Sequence, residues 1–571
     1  MIDVADLIIR GGTVFDGTGG PPFEADVAIK DGRIVAVGRC DGPAVEVIDA
    51  GGKMVTPGFV DIHTHYDGQL IWSSHLAPSS SHGVTSVVTG NCGVGFAPCR
   101  APDHTRLIKL LEGVEDMPEV VLADGLTWEW ESFPEFIAAL DRRAHDIDFA
   151  VQLPHAALRM YVMGERAADG AIATEQDIDR MRLLARDAVA AGAVGFGTSR
   201  NIFHTSPDGT VIPTAHTPEP ELRAIALGMQ DAGGGAIQAI LNVQQPQPDL
   251  EMFCRIAAET GCPFSFSLLQ VLGSKPDSWR ELLAMTEQAN RQGIRVTAQV
   301  YPRPVGVLLG LDASYHPFAA HPAYLRIAPL PLAERVAEMR KPEMRASILA
   351  DKPEPRGIVF YYTARMFDTI YPLGTPPNYE PARADSIAAR AAARGVSPDE
   401  VAYDLLLEDE GSALLLQTLA NYVDGNLDAV RAMLTAPHTV PALGDGGAHY
   451  GMICDASYPT FLLAYWGRDR TSGRIGLPEI VRSLTATPAA VLGLTDRGRI
   501  EVGLKADLNV IDFDRLNLQV PRTVHDLPSG GRRLTQDADG YVATLVSGQV
   551  IRRDGEPTGV LPGRMIRRAG A

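Results

Sequence analysis

The feature that most restricts the fold is an alternation along the middle of the chain. Short apolar runs occur at 58–65 (GFVDIHTH), 84–90 (VTSVVTG), 148–153 (DFAVQL), 193–198 (AVGFGT), 236–241 (AIQAIL), 263–269 (PFSFSLL), 294–300 (IRVTAQV) and 439–444 (TVPALG). Between them lie segments such as EQDIDRMRLLARDAVAAG, PDLEMFCRIAAETG and SWRELLAMTEQANRQG, whose apolar residues recur at helical spacing before a glycine stop. Strands buried on both faces read as nearly continuous apolar runs. Eight of them alternating with helices predict an α/β fold of the (β/α)8 TIM-barrel type.

The flanks have another texture. Residues 1–57 carry short β-like runs broken by Gly and Asp (DLIIRGGTVFDG, ADVAIKDGRIVAVG), with Asp-Gly pairs that signal hairpins, and after residue 496 the same texture returns in GRIEVGLKADLNVIDF and YVATLVSGQVIRRDG. The expectation is a small β-sandwich domain built from both termini (1–57 and 496–571), with the barrel over 58–495. A long insertion, about 303–436, separates strands seven and eight and is rich in Pro and aromatics (DASYHPF, FYYTARMF, YPLGTPPNYEP). Connections of that length are usually functional or carry their own helices, so part of this one is expected to cover the barrel mouth.

With 571 residues, 45% of them hydrophobic, the chain has enough material for a large core and more than one domain. Its 51 basic against 70 acidic residues, a formal charge of −19, oppose nucleic acid and anionic membrane surfaces as partners. The start, MIDVADLIIRGG, has Asp3 and Asp6 where a signal peptide would be positive, and no apolar run approaches the roughly 20 residues of a membrane span. A cytoplasmic protein is expected. The six cysteines form no CxxC pair, so no disulfide framework is indicated, and GTGG and DAGGG lack the spacing of phosphate-binding loops. Self-association is left open.

Catalytic groups of such barrels sit at the C-terminal ends of strands, which turns the strand assignments into candidates. Strand one ends in His63 and His65. In a strand, residues i and i+2 share a face roughly 6–7 Å apart, so the pair can converge on one metal ion. Strand two ends in GNCG with Asn91 and Cys92, and strand three presents His155. Strand four is followed by Ser199, Arg200 and His204, and strand seven by Tyr301 and Arg303. Strand eight leads to Asp445 and His449 in LGDGGAH.

Taken together, GFVDIHTHYD, HGVTSVVTGNCGVGFAP, PHAALRMYVMG, GAVGFGTSR and the Asp445 of LGDGG resemble the amidohydrolase superfamily, and within it the N-acyl-D-amino-acid deacylase (D-aminoacylase-like) branch marked by a cysteine in a GNCG turn. The resemblance implies a metal-bearing barrel with a small β domain that hydrolyses an amide C–N bond. Carried over position by position, it implies metal ligation by His63, His65, Cys92 and Asp445, with Asp445 also shuttling the proton. It also implies a small-molecule amide as substrate.

The departures matter as much. Members of that branch carry metal-binding histidines at the ends of strands five and six, the latter in a segment resembling ISHLK; here the segments are GGAIQAILNV and PFSFSLLQ. Strand five offers Gln238, Ala239 or Ile240, and Leu268 is read as the strand-six replacement, so one metal is expected, with two not excluded. Two imidazoles, a thiolate and a carboxylate suit zinc. The branch also holds its substrate's carboxylate with a Lys after the strand-six histidine and an Arg downstream of the strand-eight aspartate. Here those places read as Gln270 and the neutral run CDASYPT. Either Arg200 and Arg303 substitute, or the substrate is a neutral amide, a lactam or an aryl amide.

His155 and His449 are weighed as substrate contacts against hydrogen-bonded structural residues, and Arg200, Tyr301 and Arg303 are the remaining substrate-binding candidates. His82, at the wrong end of strand two, is read as structural, and His204 and His216 as surface residues of a polar loop. The alternatives to an amidase are a hydrolase of esters, lactones or lactams on the same scaffold, and a metal-free binding barrel. Converging ligands argue against the last, because a dead site has no physical use for them.

Overall fold

The computed structural model describes residues 4–271, 273, 275, 277–355 and 360–567. All eight apolar runs are strands: β1 (Phe59–Asp61), β2 (Val84–Thr89), β3 (Asp148–Pro154), β4 (Gly195–Ser199), β5 (Ala236–Ile240), β6 (Phe264–Leu268), β7 (Val296–Val300) and β8 (Thr439–Pro441). They pair in parallel in chain order from β1 to β8. Just beyond β1 and β8 the two edges join through Asp445 N–H to the His63 carbonyl at 3.2 Å and His65 N–H to the Gly446 carbonyl at 2.8 Å. The (β/α)8 barrel thus closes at the end where its functional side chains stand.

One expectation needs adjusting. The first run is regular strand only to Asp61, so His63 and His65 lie past its end. Their backbone still runs between partners, since Thr64 N–H donates to the Val88 carbonyl at 3.0 Å while His65 bonds the segment after β8. These tethers, rather than a ladder, hold the two imidazoles.

The helices follow local rules. In α3 (Glu175–Ala191), which comes after α1 (His104–Glu115) and α2 (His155–Met163), the Thr174 hydroxyl accepts from Asp177 N–H at 3.3 Å, and Asp177 accepts from Thr174 N–H at 2.9 Å. Such a capping box contributes about 1 kcal/mol. Met181, Ala185, Ala188 and Val189 form its buried stripe. The later helices α4 (Glu219–Asp231), α5 (Pro246–Thr260) and α6 (Ser278–Arg291) cover the barrel in the same way.

The two ends of the chain share one nine-stranded sheet, in which Met54–Pro57 pairs antiparallel with Leu508–Ile511. Leu7, Ile9, Val27, Val55, Leu508 and Leu545 pack in one apolar cluster there. A buried ion network ties the C-terminal segment to the barrel: Asp148, the first residue of β3, takes Arg497 at 2.6 Å and Lys505 at 2.8 Å. The connection between β7 and β8 has a core of its own, including Val307, Leu309, Phe318, Tyr403 and Leu415, around a three-stranded sheet of Val305–Leu309, Leu415–Ala420 and Ile370–Pro372. Among the described residues, no helix is long and apolar enough to cross a membrane.

Candidate metal centre

Four side chains meet beyond the strand ends. Cys92 Sγ lies 3.4 Å from His63 Nε2 and 3.7 Å from His65 Nε2, and Asp445 Oδ1 lies 3.5 Å and 3.7 Å from the same two nitrogens. Zn–N bonds of about 2.0–2.1 Å and Zn–S bonds of about 2.3 Å give a tetrahedron with edges of about 3.3–3.6 Å. The observed separations are those edges within a few tenths of an ångström: the ligand atoms of His63, His65 and Cys92 all lie within 4.8 Å of one another, and Asp445 approaches the same two imidazole nitrogens.

The GNCG turn explains how a cysteine gets there. Gly90 and Gly93 have φ of +83° and +73°, and a Cβ on them would fall 2.3 Å from the Gln152 carbonyl oxygen and 2.8 Å from Thr198 Cα. Between them Asn91 Nδ2 donates to the carbonyls of Thr64 and Val88, and Gln152 Nε2 donates to Asn91 Oδ1, which locks the tips of β1, β2 and β3 together. The Cys92 N–H donates to Gln238 Oε1 at 3.1 Å. Cys92, Leu443, Asp445 and His449 all adopt left-handed φ (54°, 65°, 45° and 50°) and all line one cavity. Unfavourable backbone of this kind, on the order of 1–3 kcal/mol per residue, persists where the surroundings over-determine it and clusters at working sites.

Protonation states are equally constrained. Gln299 Nε2 donates to Ser265 Oγ at 3.0 Å, so its Oε1 faces His63 Nδ1 at 2.7 Å as an acceptor. The His63 proton therefore sits on Nδ1 and the Nε2 lone pair faces Cys92 and Asp445. Burial, against the Gln299 bond, lowers His63 to about 4, and burial with the neighbouring histidines lowers His65 well below its usual value. Both rings are neutral at pH 7. Burial, with the charges of Glu115 and Asp445, raises the Cys92 thiol, and burial, with Asp455 and Asp61, raises Asp445. His65 Nδ1, Glu115 Oε1 and Asp445 Oδ1 are buried without a hydrogen-bond partner. Neutral imidazoles, a thiol and buried carboxylates with unpaired oxygens are a donor set that a divalent ion would complete.

The cavity over this cluster measures about 180 Å³. Its wall includes His63, His65, Cys92, Tyr301, Asp445 and His449 among the residues expected from sequence. His155 is not there: its ring is buried behind β4, bonded to Thr198 Oγ1 at 2.8 Å and Glu221 Oε1 at 2.9 Å, with Arg159 closing the Glu221 pair. Arg200 does not reach the cavity either, because Asp249 at 2.6 Å and the Thr217 carbonyl hold it. Arg303, 1% exposed, is spent on Tyr301 Oη, Ser457 Oγ, the Cys454 carbonyl and Asp455. All three are held by framework partners, and none of them lines this cavity. His82 bonds Thr460 Oγ1 and the Gln536 carbonyl, both at 2.8 Å.

The structure also moves residues into the site. His204, expected at the surface, lines the cavity with Nδ1 at 3.0 Å from Ser199 Oγ. The strand-six residue facing the cavity is Ser267, not Leu268, and strand five contributes Ile240. Glu115 is the largest omission. Its Oε1 lies 3.6 Å from His65 Nδ1 and its Oε2 3.4 Å from His449 Nε2, while its carbonyl accepts from His449 N–H at 2.5 Å. The signal was present: α1 buries Leu107, Ile108, Leu111 and Val114, and Glu115 falls on that apolar stripe, four residues from Leu111.

A (β/α)8 barrel whose strand ends converge on His63, His65, Cys92 and Asp445 has the architecture of a metal-centred hydrolase. The chain belongs to the Amidohydrolase family, which it matches over residues 46–552. That makes it an amidohydrolase, an enzyme of amide C–N bonds. It is 28% identical to an N-acyl-D-glutamate deacylase of Alcaligenes xylosoxydans xylosoxydans over 100% of this chain and 98% of that one. It is 27% identical to the N-acyl-D-aspartate deacylase of the same organism, covering 98% and 95%. Among solved structures it resembles the N-acyl-D-glutamate deacylase of Bordetella bronchiseptica, complexed with zinc and a phosphonate mimic of the tetrahedral intermediate (TM-score 0.65, 24% identity, 99% of this chain and 100% of that one). It also resembles a D-aminoacylase described as having one-metal activation and second-metal attenuation (TM-score 0.67, 24% identity, 99% and 100%).

Proposed function

We propose that this enzyme hydrolyses the C–N bond of a small-molecule amide with a single zinc ion held by His63, His65, Cys92 and Asp445. The observation that carries this reading is that Cys92 and Asp445 each stand 3.4–3.7 Å from the Nε2 atoms of both His63 and His65. Ile240 and Ser267 at the ends of strands five and six offer no imidazole for a second ion.

Bound in such a set, zinc supplies Lewis acidity, bringing water's pKa towards neutrality and polarising a carbonyl oxygen. The chain's residues do the rest. Asp445, with 23% of its side chain exposed to the cavity, takes a proton from water and returns it to the departing nitrogen. Gln299 fixes the tautomer of His63, and Glu115 faces the Nδ1 of His65 and the Nε2 of His449, orienting both rings. Ile240, Val243, Leu269 and Val305 make the apolar wall that excludes bulk water. A cytoplasmic location suits the six unpaired cysteines.

Metal analysis after exhaustive dialysis tests the ligand set, with one equivalent of zinc per chain expected; two full equivalents would contradict the reading of strands five and six. Asp445→Asn should lower kcat by on the order of 10³-fold on the best amide found. Near-normal turnover in that variant would give the proton to another group, and a matched ester panel decides the acyl class.

A further inference from the structure

We infer that the substrate of this site carries no carboxylate beside its scissile amide, and that the flank entering the cavity is apolar. The inference rests on the hydrolase reading above, which fixes the metal cluster as one end of the cavity. The other walls combine apolar side chains (Val114, Ile240, Val243, Leu269, Val305, Leu443) with the polar groups of Asn201, His204, Ser267, Tyr301 and His449 and the carboxylates of Glu115 and Asp455. Among the described residues, neither lysine nor arginine lines the cavity.

The two nearby arginines that sequence offered as carboxylate partners are both committed. Arg303 sends its donors to Tyr301 Oη (2.8 Å), Ser457 Oγ (3.1 Å), the Cys454 carbonyl (3.0 Å) and Asp455 Oδ1 (3.2 Å), and its guanidinium carbon stacks 4.1 Å from the Tyr379 ring. Arg200 gives Nε to Asp249 and Nη1 to the Thr217 carbonyl, both at 2.6 Å. Turning either towards substrate would take the cationic partner from its own buried aspartate, which is costlier than the bond gained. Asp455 makes the case stronger. It stands on the cavity wall with Arg303 bonded to it, so an entering anion meets carboxylate oxygen rather than guanidinium. With the metal engaged by the scissile carbonyl, an ionised carboxylate here would shed water and find no lysine or arginine partner among the described lining residues, whereas an alkyl or aryl group would find matching walls.

The test uses the full-length, zinc-loaded enzyme and a pair of probes that differ in one group: 4-methylpentanohydroxamic acid, and the same molecule with a carboxylate on the carbon next to the hydroxamate. Calorimetric titration should give at least about 100-fold tighter binding of the uncharged probe, the scale expected for an unpaired buried charge. Equal binding, or preference for the carboxylate, overturns the inference. Failure of both probes to bind enzyme that holds its zinc overturns instead the hydrolase reading beneath it. Leu269→Lys places a cation on the partly exposed wall and should shrink the ratio at least 10-fold with one zinc still bound. An unchanged ratio in that zinc-loaded variant also counts against the inference.

Discussion

Glu115 offers the sharpest test of how the site is built, because its removal should move two quantities in opposite directions. With a cation at the four-residue cluster, the His65 Nδ1 proton faces Glu115 Oε1, now 3.6 Å away. A charge-assisted bond of this type is worth about 1.5–3 kcal/mol, and at 1.36 kcal/mol per decade its loss is about 10- to 150-fold in zinc affinity. That agrees with the 10- to 100-fold typical of groups that orient metal-bound histidines. Without metal the balance reverses. Burial first, then Asp445 and Asp67, hold the Glu115 carboxyl well above its ordinary 4.5. At this site the folded metal-free protein therefore binds more protons than the unfolded chain above that pH, and Glu115's contribution to stability falls as pH rises through the window. Glu115→Gln removes this loss. The variant should bind zinc about 10- to 100-fold more weakly in competition with a chromophoric chelator, while its metal-free form melts no lower than wild type at pH 7.5. Zinc affinity within twofold of wild type, or a lower melting temperature of the metal-free variant, would refute the orienting role.

Two further outcomes follow from the same electrostatics. Because burial keeps the Cys92 thiol protonated until a cation arrives, zinc binding at pH 7 should release one more proton in wild type than in Cys92→Ser. Titrations in buffers of different ionisation enthalpy measure the difference, and equal release would remove the thiolate from the ligand set. His63 and His82 are both lowered to about 4 by burial, so at these two sites the folded metal-free protein holds fewer protons than the unfolded chain below 6.5. Their stabilisation is complete above pH 6.5 and lost as pH falls through 4, on the order of 3 kcal/mol each. The urea-midpoint difference between metal-free wild type and metal-free His82→Gln should narrow from pH 7 to 4.5; a difference that stays constant would contradict this.

What could be read from sequence was local. The eight strands announce themselves because a strand covered on both faces needs apolar residues along its length, and GNCG because Gly90 and Gly93 occupy left-handed backbone where a Cβ would strike β3 and β4. The expected absence of a strand-six imidazole also follows from composition, although the register that presents Ser267 rather than Leu268 to the cavity does not. His155 and Arg200 misled for one reason: a polar residue after a barrel strand can face the cavity or a neighbouring helix. Glu221 at the start of α4 and Asp249 in α5 draw them to the helical layer. Glu115 was passed over because its two histidine partners come from segments far away along the chain.

The sequence by itself determined the barrel, the metal-binding motifs and the family, because each rests on periodicity or on backbone conformations that only certain residues adopt. Tertiary structure decided the charge of the cavity. Which carboxylate neutralises which arginine depends on contacts between segments 49 (Arg200–Asp249) and 152 (Arg303–Asp455) residues apart, and a buried charge is governed by the partner packing brings to it. The choice of what this site can hold was made there.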